Sequence, residues 1–149
     1  MNKTILLVED NATDEKLTLR AFRRSGVDNE ITVVRDGAEA LDYLFGTGPY
    51  AARDTSDLPA VVLLDLHLPR IDGLEVLRRL REDERTRLLP VVILTASHEE
   101  EDRLRGYRLG ANAYVRKPVD YAEFARAATT LGMFWLTLNE PAPPLRRGP

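Results

Sequence analysis

The chain of 149 residues carries a net charge of −3 and consists of 44% hydrophobic and 30% charged residues, which is typical of one globular domain with a complete core. It contains no cysteine, so a disulfide framework, a thiolate metal site and a cysteine nucleophile are excluded. Charges stand within the first ten positions, apolar runs are short and basic residues are mixed with acidic ones, so we expect a cytoplasmic protein that binds neither nucleic acid nor membrane.

Five short apolar runs predict buried strands, at residues 5–8, 31–34, 60–64, 91–94 and 112–115. Segments with helical periodicity or capping residues follow them, at residues 11–26, 36–45, 73–83, 97–110 and 121–138. Before the third strand, residues 46–59 (GTGPYAARDTSDLP) predict a loop. Its length of about fourteen residues is uncommon in a compact domain and is often functional.

Strands that are almost continuously Val, Ile and Leu, each followed by a helix, predict a parallel sheet covered on both faces. Five such units make a doubly wound α/β sandwich. Ligands of these sheets bind outside the carboxyl ends of the strands. The residues at those ends are polar or charged: Glu9 and Asp10, Asp65, Thr95, and Lys117 followed by Pro118.

These residues together indicate phosphoryl transfer. Three carboxylates that meet at one sheet edge cannot all stay ionised without a cation, and Mg²⁺ prefers such oxygen ligands. A hydroxyl from Thr95 and an ammonium from Lys117 would bind phosphoryl oxygens while the carboxylate of Asp65 attacks. Each residue alone also fits an ordinary role, as a turn, a helix cap, a strand residue or an exposed lysine. The hypothesis rests on their joint occurrence.

Four blocks of the sequence resemble the receiver domains of two-component response regulators, from residue 4 to about residue 130. The blocks are ILLVEDN, VVLLDLHLPRIDG, VVILTA and YVRKP. The resemblance implies a flavodoxin-like fold with strand order 2-1-3-4-5. It also implies a signalling protein, not an enzyme, that receives a phosphoryl group from a sensor histidine kinase and acts through protein–protein contact.

The resemblance assigns roles to the residues at the sheet edge. Asp65 would be the phosphoacceptor. Asp10, Asp65 and the backbone carbonyl of His67 would bind Mg²⁺ directly, and Glu9 would bind it through water. The side chain of His67 is expected to face the phosphoryl group and to affect the access of water.

The remaining roles concern phosphoryl binding and switching. Thr95 and Lys117 would bind phosphoryl oxygens, and a cis bond between Lys117 and Pro118 would place the ammonium. Thr95 would then move toward the phosphoryl group and let Tyr114 rotate inward. This change would repack the face formed by the fourth helix, the fifth strand and the fifth helix.

The C-terminal region predicts a dimer. Apolar residues surround the end of the last helix, namely Met133, Phe134, Trp135, Leu136 and Leu138, and core packing accounts for only some of them. We expect the rest to form a homodimer surface together with the face of helix 4, strand 5 and helix 5. Residues 1–138 would form the receiver domain, and residues 139–149 an extended arm that leaves no room for an output domain.

The long loop and the aromatic tail resemble those of small regulators that pair with phytochrome-type histidine kinases, so a bacteriophytochrome is the expected partner. Two other functions remain open. A haloacid-dehalogenase-like phosphatase also uses Asp, Mg²⁺, Thr and Lys, but requires a second Asp where His67 stands. A degenerate receiver that serves as a scaffold would lack an acceptor, an acid or the lysine, and none is missing here.

Overall fold

A computed structural model describes residues 3–143 of the chain. Within this range five strands form one sheet: β1 Ile5–Val8, β2 Ile31–Val34, β3 Val61–Leu64, β4 Val91–Thr95 and β5 Ala113–Arg116. Five α-helices alternate with them: α1 Ala12–Arg24, α2 Gly37–Phe45, α3 Gly73–Glu82, α4 Glu100–Arg108 and α5 Tyr121–Met133. All strand pairs are parallel, and their order is β2-β1-β3-β4-β5. The predicted fold is therefore confirmed.

The continuous apolar runs follow from burial of the sheet on both faces. Successive side chains of a strand point to opposite faces, and in β1 both directions are covered. Leu6 and Val8 pack in a cluster with residues of α2 and α3, whereas Ile5 and Leu7 pack in a second cluster with residues of α1 and α5. Polar alternation would place unpaired groups in one of these two layers, where they are costly.

Side-chain caps begin four of the helices at the carboxyl edge of the sheet. In each case the capping side chain accepts a hydrogen bond from the backbone N–H three residues later, which satisfies a donor that the helix leaves unpaired. The caps are Asn11, Asp36, Asp72 and Asp120. The caps therefore fix the residues at which these four helices begin.

The structure corrects several predicted boundaries. β5 begins one residue later than predicted, and α5 ends at Met133, where a π-helical segment, Phe134–Leu138, continues the chain. The long loop contains a turn of 3₁₀ helix at Gly48–Tyr50. Arg53 holds this loop, because its guanidinium lies 4.0 Å from the centre of the Tyr43 ring. Among the described helices, none is long and apolar enough to cross a membrane.

The predicted arm lies partly outside the described residues, which end at 143. Within the range, residues 139–143 follow the π-helical segment without regular secondary structure. Lys3 donates a hydrogen bond to the carbonyl of Asn139 at 3.3 Å. The start of the predicted arm thus contacts the N-terminal side of β1. The division into a receiver and an arm stays a prediction.

Arg81 is expected to be a major contributor to stability. Its guanidinium donates to the carbonyl of Leu89 at 2.8 Å, to that of Gly110 at 2.9 Å and to the side chain of Asn112 at 3.0 Å. Replacement by methionine removes these hydrogen bonds and leaves the carbonyls of Leu89 and Gly110 without this donor, although the Asn112 side chain still accepts from the backbone N–H of Val91. We therefore expect the free energy of unfolding to fall by about 2–4 kcal/mol. Urea denaturation measures this change.

The matched control for this prediction is Arg79→Met on the same helix. Arg79 is exposed, and among residues 3–143 its ion-pair partner is Glu75 alone, at 2.9 Å; a surface ion pair contributes at most about 1 kcal/mol. Equal losses in the two variants would show that the contacts of Arg81 do not hold the α3 end to the following loops.

Candidate functional site

Three carboxylates lie together at the carboxyl edge of the sheet. Glu9, Asp10 and Asp65 each have an oxygen within 4.8 Å of an oxygen of the other two. They meet because Val8 at the end of β1 pairs with Leu64 at the end of β3, so the residues that follow are neighbours. Glu9 is 2% exposed and Asp65 is 8% exposed, whereas Asp10 is exposed. A set of hard oxygen donors of this kind fits a divalent cation such as Mg²⁺ or Mn²⁺.

The ammonium of Lys117 contacts this cluster from the end of β5. It donates to Glu9 Oε1 at 2.6 Å, to Asp65 Oδ2 at 2.9 Å and to Asp14 Oδ2 at 2.9 Å. An ammonium has three protons to donate, and all three are used. The Lys117 side chain is only 6% exposed, so these charge-assisted bonds are largely shielded from water.

Asp14 was not predicted as a site residue. It lies in the first turn of α1, four residues after Asp10. Asp10 precedes the cap Asn11 and so lies outside the helix, and the spacing of the two acids therefore gives no periodic signal for a shared site. An acidic residue in the first turn of a helix is ordinarily explained by the helix dipole, so sequence reasoning had no specific cause to select it.

Burial and the shortage of positive charge set the protonation of the site. Burial raises the pKa of Glu9 to about 7, although the hydrogen bond from Lys117 acts in the opposite direction. Burial alone would lower the pKa of Lys117, but its bonds to Glu9, Asp14 and Asp65 outweigh burial and raise the pKa. The lysine is therefore the charged partner. Because burial raises its pKa to about 7, Glu9, the most buried of these carboxylates, is about half protonated at neutral pH.

The loop after β3 folds back onto the candidate acceptor. Gly73, the first residue of α3, donates its backbone N–H to the carbonyl of Leu66 at 2.8 Å. A side chain at this glycine would place its Cβ 2.1 Å from the carbonyl oxygen of Asp65, which is closer than any van der Waals contact. Because Gly73 has no side chain, the start of α3 can pack directly against the backbone of Asp65.

Thr95 and Tyr114 lie on the neighbouring strands. Thr95 is fully buried at the end of β4, and its hydroxyl oxygen accepts a hydrogen bond from the backbone N–H of Ser97 at 3.3 Å. The hydroxyl of Tyr114 is buried and has no hydrogen-bond partner among residues 3–143. Burial raises the pKa of Tyr114. The nearby Ser97 hydroxyl instead donates to Asp102 at 2.7 Å.

The side chain of His67, two residues after Asp65, is exposed and lies near α4. It is 74% exposed, and its Nε2 is 4.0 Å from Asp102 Oδ2 on α4. The backbone N–H of His67 donates to Asp65 Oδ1 at 3.4 Å. The predicted roles of its carbonyl in metal binding and of its imidazole in controlling water stay predictions.

The predicted cis bond between Lys117 and Pro118 is wrong. No peptide bond among residues 3–143 is cis. Lys117 reaches all three carboxylates with a trans bond, so its placement does not require the less stable isomer, which costs about 0.5–1 kcal/mol before proline. The backbone N–H of Lys117 also donates to the carbonyl of Thr95 at 2.7 Å, which fixes the end of β5.

Comparison with known proteins identifies similar chains. A sequence profile of the response regulator receiver domain family matches residues 5–129. The response regulator Rcp1 of Synechocystis sp. is 37% identical over 141 residues, 94% of each protein. The crystal structure of its Mn²⁺-bound form has a TM-score of 0.87 at 34% identity, and the match covers 95% of this chain and 99% of that one.

Two further similar structures are those of response regulators of phytochromes. The phosphorylated cyanobacterial phytochrome response regulator RcpA has a TM-score of 0.88 at 37% identity, over 95% of this chain and 99% of its own. The bacteriophytochrome response regulator RtBRR is 54% identical with a TM-score of 0.76, over 96% of this chain and 86% of its own. These similarities extend well beyond the residues at the sheet edge.

Proposed function

Because this chain belongs to the response regulator receiver domain family, we propose that Asp65 is its phosphoacceptor and that a sensor histidine kinase supplies the phosphoryl group. Phosphorylation on an aspartate is standard for the family, whose members are signalling proteins and not enzymes. The observation that carries the assignment is the contact of 2.9 Å between Asp65 and the ammonium of Lys117, beside two further carboxylates. The family match also removes the dehalogenase-like phosphatase as a candidate.

The transfer is a displacement at phosphorus. A carboxylate oxygen of Asp65 forms a bond to phosphorus while the bond from phosphorus to the kinase imidazole breaks, and the imidazole nitrogen keeps the electron pair. Lys117 and Thr95 donate hydrogen bonds to the phosphoryl oxygens. Mg²⁺, held by Asp10, Asp65, the His67 carbonyl and, through water, Glu9, would supply positive charge against the same oxygens. The Mn²⁺-bound form of Rcp1 and the three clustered carboxylates support a divalent metal at this edge.

We expect the switch to begin at Thr95. Its hydroxyl oxygen now accepts a hydrogen bond from Ser97, and a phosphoryl group on Asp65 would draw the hydroxyl away as a donor. The loop after β4 and the Tyr114 ring, which lies against Gly106 of α4, would then change their packing. The result is a new arrangement of the face formed by α4, β5 and α5, which presents the output to a protein partner.

Intact mass spectrometry after incubation with acetyl phosphate and Mg²⁺ tests the proposal. The expected result is a gain of one phosphoryl group, which disappears when EDTA replaces Mg²⁺. If the chain gains no mass under conditions that phosphorylate a known receiver, the acceptor role fails. The chain would then be a receiver scaffold that keeps the residues of the site without its chemistry.

A bacteriophytochrome-type histidine kinase is the proposed partner. The 54% identity to a bacteriophytochrome response regulator and the match to RcpA support this choice. Both proteins would act in the cytoplasm, where ATP is available to the kinase. The test is phosphoryl transfer from a phosphorylated bacteriophytochrome kinase, with an unrelated histidine kinase as the control. Equal rates from both kinases would argue against this pairing.

Mg²⁺ is expected to stabilise the protein more at pH 8 than at pH 6. The folded-state pKa of Glu9, about 7, lies above its ordinary value of 4.5, so its contribution to the stability of the metal-free protein falls as the pH rises from about 4.5 to about 7. The carboxylate left at higher pH favours the cation. Melting temperatures with and without Mg²⁺ at each pH measure the difference. Glu9→Gln should remove the pH dependence, and an equal effect of Mg²⁺ at both pH values would contradict the prediction.

We also propose a homodimer that uses the C-terminal apolar segment. Met133, Phe134 and Leu138 are 54%, 45% and 72% exposed, which is unusual for adjacent large apolar side chains. The double variant Phe134→Ser and Leu138→Ser should sediment as a monomer at concentrations where the wild type is a dimer. Leu88→Ser is the control, because Leu88 is 59% exposed but lies in the loop before β4. Unchanged sedimentation of the double variant would exclude this surface.

A further inference from the structure

Asp14 contacts Lys117 without belonging to the candidate metal cluster. Lys117 donates to Glu9, Asp14 and Asp65, and two of these three acceptors also lie in the group of carboxylates that could hold a cation. A cation bound there would share Glu9 and Asp65 with the ammonium. Asp14 is the one acceptor of the three that such a cation does not share.

The position of Asp14 is fixed by its own helix. Its backbone N–H donates to the cap Asn11 at 2.9 Å, and its carbonyl accepts from the hydroxyl of Thr18 at 2.8 Å. Its charge lies in the first turn of α1, where the helix dipole stabilises an anion. The side chain of the next residue, Glu15, points elsewhere and pairs with Arg35 at 3.1 Å. The two adjacent acids therefore have different partners, and only Asp14 serves the site.

Phosphorylation of Asp65 adds another acceptor for the Lys117 ammonium, a phosphoryl oxygen. With three donors and three acceptors, Lys117 can bind a phosphoryl oxygen only by giving up one acceptor. Once Asp65 forms the bond to phosphorus, the N–H that Lys117 donated to Asp65 can donate to a phosphoryl oxygen instead. A lysine side chain is flexible, with four rotatable bonds. The direction of the freed N–H therefore depends on the acceptors that hold the other two N–H groups of the ammonium.

We propose that Asp14 is a positioning residue that orients Lys117 toward the phosphoryl group when a divalent cation engages the other carboxylates. This inference rests on the proposed phosphoacceptor role of Asp65. It predicts that Asp14 affects phosphoryl binding through Lys117 and has little effect on the affinity for the metal.

The test compares Asp14→Asn with Glu15→Gln, which removes the neighbouring charge outside the site. At saturating Mg²⁺, phosphorylation by acetyl phosphate should slow about five- to tenfold in Asp14→Asn and less than about twofold in Glu15→Gln. Asp14→Glu, which keeps the carboxylate, should recover most of the rate. In a Lys117→Gln background, Asp14→Asn should slow the reaction by less than about twofold, because the lysine through which it acts is gone.

Two further measurements keep the proposal decisive if Lys117→Gln reacts too slowly. The affinity for beryllofluoride, a non-covalent phosphoryl mimic, should fall in Asp14→Asn while Mg²⁺ affinity changes less than about threefold. In the metal-free protein, the ¹H–¹⁵N signal of the Lys117 ammonium, protected by its three acceptors, should broaden in Asp14→Asn and persist in Glu15→Gln.

Two results would overturn the proposal. Asp14→Asn could react and bind beryllofluoride like Glu15→Gln, or it could slow the reaction by the same factor with and without Lys117, which would indicate a structural role only. A wild type that accepts no phosphoryl group would instead refute the proposed function itself. The two failures are therefore distinguishable.

Discussion

Replacing Asp65 with asparagine is expected to abolish phosphorylation completely and to stabilise the metal-free protein. An amide does not form the acyl phosphate, so no added mass should appear with acetyl phosphate and Mg²⁺. At the same time the substitution removes one negative charge from a cluster in which three carboxylate oxygens lie within 4.8 Å of one another. Less repulsion should raise the free energy of unfolding by about 1 kcal/mol.

These opposite effects on function and stability make the prediction specific. Intact mass measures the first effect, and urea denaturation in EDTA measures the second. Asp57→Asn is the control, because Asp57 lies exposed in the loop before β3 and should change neither quantity. Phosphorylation that persists in Asp65→Asn would identify another acceptor and contradict the assignment. A loss of stability would show that the contact with Lys117 outweighs the repulsion among the carboxylates.

Replacing Lys117 with glutamine is expected to destabilise the metal-free protein by about 3 kcal/mol. The Lys117 side chain is 6% exposed and its ammonium donates to three carboxylates. Its removal leaves these buried or half-buried groups without a counter-charge. The loss should be largest near pH 8, where the Glu9 proton is also absent, since burial raises the pKa of Glu9 only to about 7. Mg²⁺ should restore most of the lost stability because it neutralises two of these three carboxylates, Glu9 and Asp65.

The same variant should accept phosphoryl groups at least about tenfold more slowly at saturating Mg²⁺, since a charged donor to the phosphoryl oxygens is missing. Lys16→Gln is the matched control. Lys16 is exposed on α1, and its loss should affect neither stability nor rate. If Mg²⁺ fails to restore the stability of Lys117→Gln, the lysine and the cation do not neutralise the same groups, and the assignment of the metal to this edge is wrong.

The pattern of strands and helices was sufficient to predict the doubly wound α/β fold and the edge at which the candidate site lies, whereas the strand order came from the resemblance to receiver domains. A run such as Val61 to Leu64 that is apolar at every position requires cover on both faces, and helices between such strands force parallel crossovers. Parallel strands bring their carboxyl ends to one edge, so the sequence pattern alone predicts that Asp10 and Asp65 are neighbours. Every residue of β1, β3 and β4 is buried, as cover on both faces of the sheet requires.

The contacts of individual charged side chains were decided only by the tertiary structure. Asp14 and Lys117 are 103 positions apart, and their contact depends on how α1 lies against the end of β5, which no local pattern encodes. The trans bond before Pro118 and the buried hydroxyl of Tyr114 are likewise results of packing. Hydrophobic periodicity is a property of one element at a time, whereas the ion pairs of Lys117 with Asp14 and Asp65 depend on distances between elements. The sequence therefore predicted the strands and the site edge, and only the folded chain showed which acids hold the lysine.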